Sequence, residues 1–321
     1  MAELSTETLP LASFGWDDEY DLYNVACPEI DGHDVTIMSI TLIISLLGLV
    51  GNGIVIWFLG FRMKRNPFTV YVLNLAVADT GFLLCSTAFL VAYWVGYPVC
   101  GFLEIIDMLV LFAMLCVWMN STSLHFLTAI STERCVSVLY PIWYRCRRPR
   151  HLSAIVSALL WALSCLLCCS MVIFCPVFIS ESCKASLLYI FVLNVLIFSP
   201  AMVLSSLILF VKVRRCSQRR PPGKLYAVIL LTVLFFLLFT LPYSVELLLS
   251  YLDISEPTWM FHALACASSS INPFIYFLVG SYRKRRFRGS LKLALQRVFE
   301  EQRNSGEDRN APSRAPMETA V

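Results

Sequence analysis

Seven apolar stretches, each long enough to cross a lipid bilayer, divide this chain of 321 residues. An α-helix rises 1.5 Å per residue, so roughly 20 apolar residues span the hydrocarbon layer. The seven stretches predict an all-α membrane protein, built as a seven-transmembrane helix bundle. They cover about Val35–Leu59, Phe68–Val95, Phe102–Val138, Leu152–Cys175, Leu187–Val211, Leu225–Tyr251 and Trp259–Val279.

The composition agrees with a membrane protein. Hydrophobic residues make up 58% of the chain and charged residues 15%, whereas charged residues are about a quarter of an ordinary soluble domain. This excludes a typical water-soluble domain and a disordered chain. The net charge of +3 gives no reason to expect a nucleic-acid partner.

The basic residues indicate which way the chain crosses the membrane. If seven helices alternate in direction, three loops and the tail on one side hold 24 of the 25 Lys and Arg residues, and only Lys184 lies on the other side. Lys and Arg concentrate on the cytoplasmic side of membrane proteins. We therefore predict a multi-pass plasma-membrane protein with an extracellular N-terminus and a cytoplasmic C-terminus. Its predicted parts are an extracellular segment 1–34, a transmembrane domain 35–279, an amphipathic cytoplasmic helix 280–300 and a disordered tail 301–321.

Several polar side chains lie inside the predicted spans, where burial in hydrocarbon is unfavourable unless they find partners. They are Asn52 in the first span, Asp79 in the second, Ser123 in the third and Asn272 in the seventh. Two interpretations stay open, a single functional cluster or unrelated hydrogen bonds between helices. A transporter that couples proton or ion movement through Asp79 is the alternative function, although the chain shows no internal repeat of the kind that transporters often have.

Five short motifs occur in order along these spans. They are Gly51-Asn52, Leu75-Ala76-x-Ala78-Asp79, Thr132-Glu133-Arg134-Cys135, the prolines Pro200 and Pro242, and Asn272-Pro273-x-x-Tyr276. In this order they resemble the rhodopsin-like (class A) G protein-coupled receptors over about residues 35–300. Two longer stretches, residues 127–135 and 140–149, resemble the Mas-related receptors. The resemblance implies a receptor rather than an enzyme, one that binds an extracellular ligand and activates heterotrimeric G proteins.

The resemblance also implies roles for individual residues. Arg134, between Glu133 and Cys135, would contact the G protein at the cytoplasmic end of the third span, and Glu133 would hold it in the resting state. Pro273 would let the seventh helix deform, so that Tyr276 moves inward on activation. No acidic residue stands at the start of the sixth span, so we expect a loosely held resting state that signals without ligand. Arrestin is a further expected partner of such a receptor.

In this family the polar cluster often holds a sodium ion. A carboxylate with neutral oxygens suits a hard cation, so the resemblance predicts an allosteric sodium ion at Asp79 and Ser123, with Asn52 and Asn272 nearby. The alternative is a structural acid that binds only water. No other cofactor or metal is expected.

The cysteines depart from the common pattern. Most class A receptors carry a cysteine 25 residues before the motif arginine, but that position is Leu109 here. The resemblance to Mas-related receptors implies instead a disulfide bond between Cys175 and Cys183. Cys27 and Cys100 are the other cysteines on the extracellular side, and whether they pair stays open.

The predicted extracellular face is acidic, which favours cationic ligands. Glu246, one turn beyond Pro242, is the first candidate for the counterion of an amine or a basic peptide. Asp107, at the top of the third span, is the second. For each residue, the alternative is a solvated acid at the membrane interface.

The chain after the seventh span offers two further contacts. Apolar residues between positions 287 and 299 repeat at helical spacing among Lys and Arg, which predicts an amphipathic helix on the lipids of the inner leaflet. The chain ends at Thr319, Ala320 and Val321. A hydroxyl two residues before an apolar C-terminal residue suits strand addition to a PDZ domain.

Overall fold

The structure is a computed structural model that describes residues 32–63, 66–96, 102–149, 151–174, 181–216, 224–251 and 258–281. The described residues form helices and short connections between them. Six of these helices are long and apolar enough to cross a membrane. The protein is therefore an all-α membrane protein, as predicted.

Seven long helical segments lie where the sequence predicts seven spans, and we number them by span. A short loop helix, Pro141–Cys146, follows the third span. It begins with a proline, which is favoured at the first helical position because its missing N–H needs no partner there. The spans are Gly32–Trp57 continued by Phe58–Arg62, Pro67–Gly96, Phe102–Leu139, Leu152–Phe174, Glu181–Cys216 in three segments, Lys224–Tyr251 in three segments, and Trp259–Ser281.

The seventh span is a helix of 23 residues that carries several polar side chains. They are His262, Asn272 and the serines at 268–270, and all of them are buried. Packing against the neighbouring spans therefore covers this polar face.

The fifth span begins at Glu181, six residues before the predicted start at Leu187. A helix that projects beyond the bilayer can carry charged residues in its first turn, and hydropathy alone does not detect such an extension. The boundary of this span was therefore predicted wrongly.

Wide π-helical turns precede the prolines of the fifth and sixth spans. In the fifth span, Leu193–Phe198 is π-helical, and the Ser199 N–H donates to the Asn194 carbonyl five residues back. In the sixth, Phe236–Thr240 is π-helical, and the Leu241 N–H donates to the Phe236 carbonyl. Each proline lacks an N–H, so it cannot donate the usual helical hydrogen bond to the carbonyl four residues earlier. The wider π-helical turn accommodates this missing hydrogen bond.

The spans pack as a closed bundle. The third span contacts the second, fourth, fifth and sixth spans, and the first and sixth spans contact the seventh. Glycines allow close approach at two of these interfaces. A Cβ on Gly48 would overlap the Ser270 side chain of the seventh span, and one on Gly81 would lie 2.7 Å from Met119 Sδ of the third.

Several predictions fall outside the described residues. They are the extracellular segment up to residue 31, the amphipathic helix and tail from residue 282 onward, and the cysteines Cys27, Cys100 and Cys175. The side chain of Cys183 is likewise not described. The Cys175–Cys183 disulfide therefore stays a prediction.

Candidate functional site

Asp79 lies at the centre of the bundle, and side chains from two other spans donate hydrogen bonds to it. Ser123 Oγ of the third span donates to Asp79 Oδ1 at 2.9 Å. Asn272 Nδ2 of the seventh span donates to Asp79 Oδ2 at 2.7 Å. The carboxyl group is only 1% exposed, so these donors compensate for the water that it has lost.

Asn52 joins the first and seventh spans beside this cluster. Its Nδ2 donates to the Gly48 carbonyl of its own span at 3.0 Å and to the Ser269 carbonyl at 3.1 Å. The Ser269 carbonyl precedes Pro273 by four residues, so the proline leaves it without its usual helical donor, and Asn52 supplies one. Tyr276 follows one turn later and is buried. The structure thus brings the predicted polar residues of four spans together.

The cluster offers one carboxylate and neutral oxygens to a cation. Among the residues that the structure describes, no group of three His, Cys, Asp or Glu side chains could hold a metal ion. The Ser123 hydroxyl keeps free lone pairs while it donates to Asp79, and this donor set suits a hard monovalent cation better than a transition metal.

Arg134 lies near the C-terminal end of the third span and is 2% exposed. Its Nη2 donates to the Tyr144 hydroxyl of the loop helix at 3.3 Å. Its guanidinium also lies 4.8 Å from the centre of the Phe68 ring, a geometry that stabilises a cation. The loop helix and the second span therefore hold this arginine from two sides.

Glu133 is engaged by Arg148 and Tyr144. Its Oε1 accepts hydrogen bonds from the Tyr144 hydroxyl at 2.6 Å and from Arg148 Nη2 at 2.7 Å. Arg148 Nη2 also donates to Ser153 Oγ at the start of the fourth span, at 2.6 Å. The Tyr144 hydroxyl thus contacts both Glu133 and Arg134. Cys135, the next residue of the motif, is buried.

Tyr144 contacts both Glu133 and Arg134 through a hydroxyl that stays neutral. Burial raises its pKa to about 12, Arg134 acts in the opposite direction, and Glu133 adds to the rise. The phenol therefore stays protonated at cytoplasmic pH. It can donate to the carboxylate of Glu133 while it accepts from the guanidinium of Arg134.

Glu246 lies near the end of the sixth span and is 8% exposed. Its Oε1 accepts hydrogen bonds from the backbone N–H of Thr258 and from the Thr258 hydroxyl, which directly precede the seventh span. It also lines a groove of about 490 Å³, whose other lining residues are Leu241, Pro242, Val245, Leu249, Thr258 and Phe261. Asp107 does not line this groove, and its side chain is exposed.

The sequence alone assigned no functional role to Tyr144, Arg148 or His125. His125 Nδ1 lies 3.0 Å from Ser164 Oγ of the fourth span, and Nε2 lies 3.2 Å from Asn194 Oδ1 of the fifth. The proline that begins the loop helix was a usable signal for the position of Tyr144. The partners of His125 come from distant parts of the chain, and no local pattern marks them.

Comparisons with known proteins agree with this arrangement. Residues 51–276 match the family model of the 7 transmembrane receptor (rhodopsin family). The chain is similar to the proto-oncogene Mas of Rattus norvegicus, with 42% identity over 291 residues, which cover 87% of this chain and 88% of that protein. It is 45% identical to the Mas-related G-protein coupled receptor member H of Rattus norvegicus, covering 83% and 84% of the two chains. It is 39% identical to member X1 of Homo sapiens, with the same two coverages.

Proposed function

Because the chain belongs to the rhodopsin family of seven-transmembrane receptors, and to its Mas-related group, it is a G protein-coupled receptor, and we propose that Arg134 is its switch toward the G protein. This family consists of receptors rather than enzymes, and it does not favour the transporter alternative. The observation that carries the proposal is the burial of Arg134 beneath Tyr144 at the cytoplasmic end of the third span. A guanidinium released from this position presents several donors to the carbonyls of a partner.

The mechanism follows from the contacts of the resting state. Ligand binding shifts the equilibrium toward a conformation in which the sixth span moves outward and Arg134 leaves Tyr144. Pro273 interrupts the backbone hydrogen bonds of the seventh span, so the helix can deform there. Tyr276 can then move into the space that the sixth span leaves. Glu133 and Cys135 flank Arg134 and complete the contact surface. The heterotrimeric G protein then binds and exchanges its nucleotide.

Nucleotide exchange tests this assignment. Membranes that contain the receptor are measured without ligand and with a panel of basic peptides and amines. We expect Arg134→Ala to abolish receptor-dependent exchange at matched surface expression. Arg147→Ala, which removes an exposed cation nearby, is the control and retains exchange. Full exchange by the Arg134 variant would contradict the assignment.

We further propose that the extracellular ligand is cationic and that Glu246 is its counterion, with Asp107 as a second contact. An ionisable group inside a span points to function by default, and Glu246 lines a groove of ligand size. Glu246→Gln should strongly weaken a cationic agonist and leave a neutral agonist unchanged. Equal potency of both agonists on the variant would contradict the role of Glu246.

The polar cluster is proposed to bind an allosteric sodium ion. Asp79 and Ser123 would hold the ion, and Asn52, Asn272 and Pro273 would relay its presence to the seventh span. We expect replacement of sodium by an impermeant organic cation to raise ligand-free exchange in the native receptor and to have no effect in Asp79→Asn. An equal response of both proteins would indicate a structural acid.

The remaining assignments are proposals about the two faces of the membrane. They place the N-terminus outside, the C-terminus in the cytoplasm, and a Cys175–Cys183 disulfide on the outer face. On the inner face, residues 280–300 would lie on membrane lipids, arrestin would bind the active receptor, and Thr319 with Val321 would bind a PDZ domain. One extra residue after Val321 should abolish capture by PDZ proteins, because that pocket needs the free carboxylate.

A further inference from the structure

The groove beside Glu246 has the composition of a site for an amphiphile. Its volume of about 490 Å³ lies within the usual range for ligand sites. Among the described residues, its lining is apolar except for Glu246 and Thr258. One acid among these otherwise apolar lining residues favours a ligand with a single cationic end and a long apolar body.

The groove lies on the lipid-facing side of the sixth span. The face of this span toward the bundle carries the buried residues Phe236, Thr240 and Tyr243. The groove residues Leu241, Val245 and Leu249 lie on another helical stripe. On this stripe Val245 is 36% exposed, and Leu238, which lies outside the groove, is 55% exposed. Exposed apolar side chains on a membrane span contact acyl chains, so this groove opens toward the bilayer.

Glu246 keeps one oxygen open to this groove. Both hydrogen bonds from Thr258 reach Oε1, and among the described residues Oε2 has no hydrogen-bond partner. The N-terminal end of the seventh span carries partial positive charge, which attracts the carboxylate and helps to keep it in place. Oε2 is therefore the atom that meets an incoming cation.

The depth of Glu246 also suits a lipid-borne cation. Glu246 precedes the helix end at Tyr251 by five residues, about 8 Å along the helix axis. In the proposed topology this places the carboxylate near the headgroup boundary of the outer leaflet. An amphiphile in that leaflet keeps its charged group at the boundary and its chain in the hydrocarbon layer.

We propose that the groove between the sixth and seventh spans binds a single-chain cationic amphiphile that enters from the outer leaflet, with its ammonium on Glu246 and its chain against Val245 and Leu249. This inference rests on the proposed role of Glu246 as a counterion, and it specifies the chemical class and the route of entry of the ligand. A soluble basic peptide would use neither the apolar groove nor the lipid.

Thermal unfolding of the full-length receptor in lipid nanodiscs tests the inference directly. The probes are n-dodecylamine, n-butylamine as the short cation and n-dodecanol as the uncharged chain. A ligand that binds only the folded protein raises its melting temperature, and we expect n-dodecylamine to raise it by about 3 °C or more. We expect n-butylamine to bind at least about a hundredfold more weakly, because each buried methylene contributes to affinity.

Two variants test the apolar groove and the counterion separately. Val245→Phe fills the mouth of the groove and should abolish the shift caused by n-dodecylamine. Leu234→Phe is the matched control, since Leu234 is 50% exposed and lies three turns away on the same stripe. Glu246→Gln should reduce the n-dodecylamine shift to that of n-dodecanol, while its amide oxygen still accepts from Thr258.

The outcomes are distinguishable. If n-dodecylamine raises the melting temperature of the native receptor no more than n-dodecanol does, the inference is wrong. If Val245→Phe has no effect while Glu246→Gln lowers the response to both amines and to basic peptides, the counterion role stands and entry from the lipid is wrong. If Glu246→Gln changes no response to any cation, the inference and the proposed role of Glu246 both fail.

Discussion

Tyr144 joins the two charged residues of the arginine motif, and its hydroxyl is the group to test first. Tyr144→Phe removes the acceptor of Arg134 and keeps the aromatic ring under Arg148, which lies 5.1 Å from the ring centre. A hydrogen bond to a charged group contributes about 1.5 kcal/mol or more, so the variant should raise ligand-free nucleotide exchange by up to about tenfold. Tyr140→Phe is the control, since Tyr140 is 62% exposed.

A decrease in ligand-free exchange in Tyr144→Phe would also be informative. Loss of the Tyr144 hydroxyl also removes a donor to Glu133. If Glu133 then left Arg148 and paired with Arg134, basal exchange would fall. Unchanged or lower exchange in Tyr144→Phe would therefore show that Tyr144 is not the residue that holds Arg134 in the resting state.

The raised pKa of Tyr144 predicts a pH dependence. Burial raises this pKa to about 12, so the neutral phenol persists at every pH well below that value. Ligand-free exchange should therefore show no step from this group between about pH 6 and pH 9, a range far below the ordinary tyrosine pKa as well. A step in that range that is lost in Tyr144→Phe, but kept in Tyr140→Phe, would show that the phenol titrates there.

At the scale of the helices, the contact between the first and seventh spans depends on the absence of a side chain at Gly48. A Cβ there would overlap Ser270 and lie 2.7 Å from Leu83 Cδ1. Gly48→Ala should therefore destabilise the bundle by about 1–3 kcal/mol, which thermal unfolding measures. Gly53→Ala, on the same helix with nothing within 4 Å of its Cβ, should be neutral or slightly stabilising. Equal melting temperatures for the two variants would show that the first span can move aside at little cost.

The π-helical turn of the fifth span depends on a polar network from the third span. Asn194, at that turn, accepts a hydrogen bond from His125 Nε2 at its Oδ1 and donates from its Nδ2 to Ser121 Oγ at 2.7 Å. His125→Leu keeps most of the volume and leaves Asn194 and Ser164 short of a partner. We expect a loss of about 1–2 kcal/mol in thermal unfolding. Ser170→Ala, which removes a hydrogen bond within the fourth span, should change stability much less.

The spans and their motif residues could be predicted because apolar length and motif spacing are local properties of the sequence. The contacts of Tyr144 could not, since they depend on how the loop helix folds back against the third span. The groove at Glu246 was also beyond prediction. The sequence places Glu246 one turn after Pro242, but the rotation of the sixth span, which includes a π-helical turn, decides which side of the helix the residue faces.

At the scale of the whole molecule, the distribution of cations predicts a single orientation. Ten of the Lys and Arg residues follow the seventh span, whose helix carries several polar residues. Basic residues next to a span hold its end on the cytoplasmic side. The tail should therefore secure the seventh span in the bundle, where Asn272 meets Asp79.

Epitope tags at the two chain ends test this orientation. An N-terminal tag should bind antibody on intact cells, and a C-terminal tag should bind only after the plasma membrane is permeabilised. Replacing the basic residues between 283 and 288 with Gln should expose the C-terminal tag on a fraction of intact cells, because the end of the seventh span then loses its basic neighbours. The same replacements at 303, 309 and 314, farther from the span, should leave the tag hidden, since only charges close to a span end determine its orientation. Both tags accessible on intact native cells would mean an even number of crossings, and Arg134 could not then share a compartment with the tail.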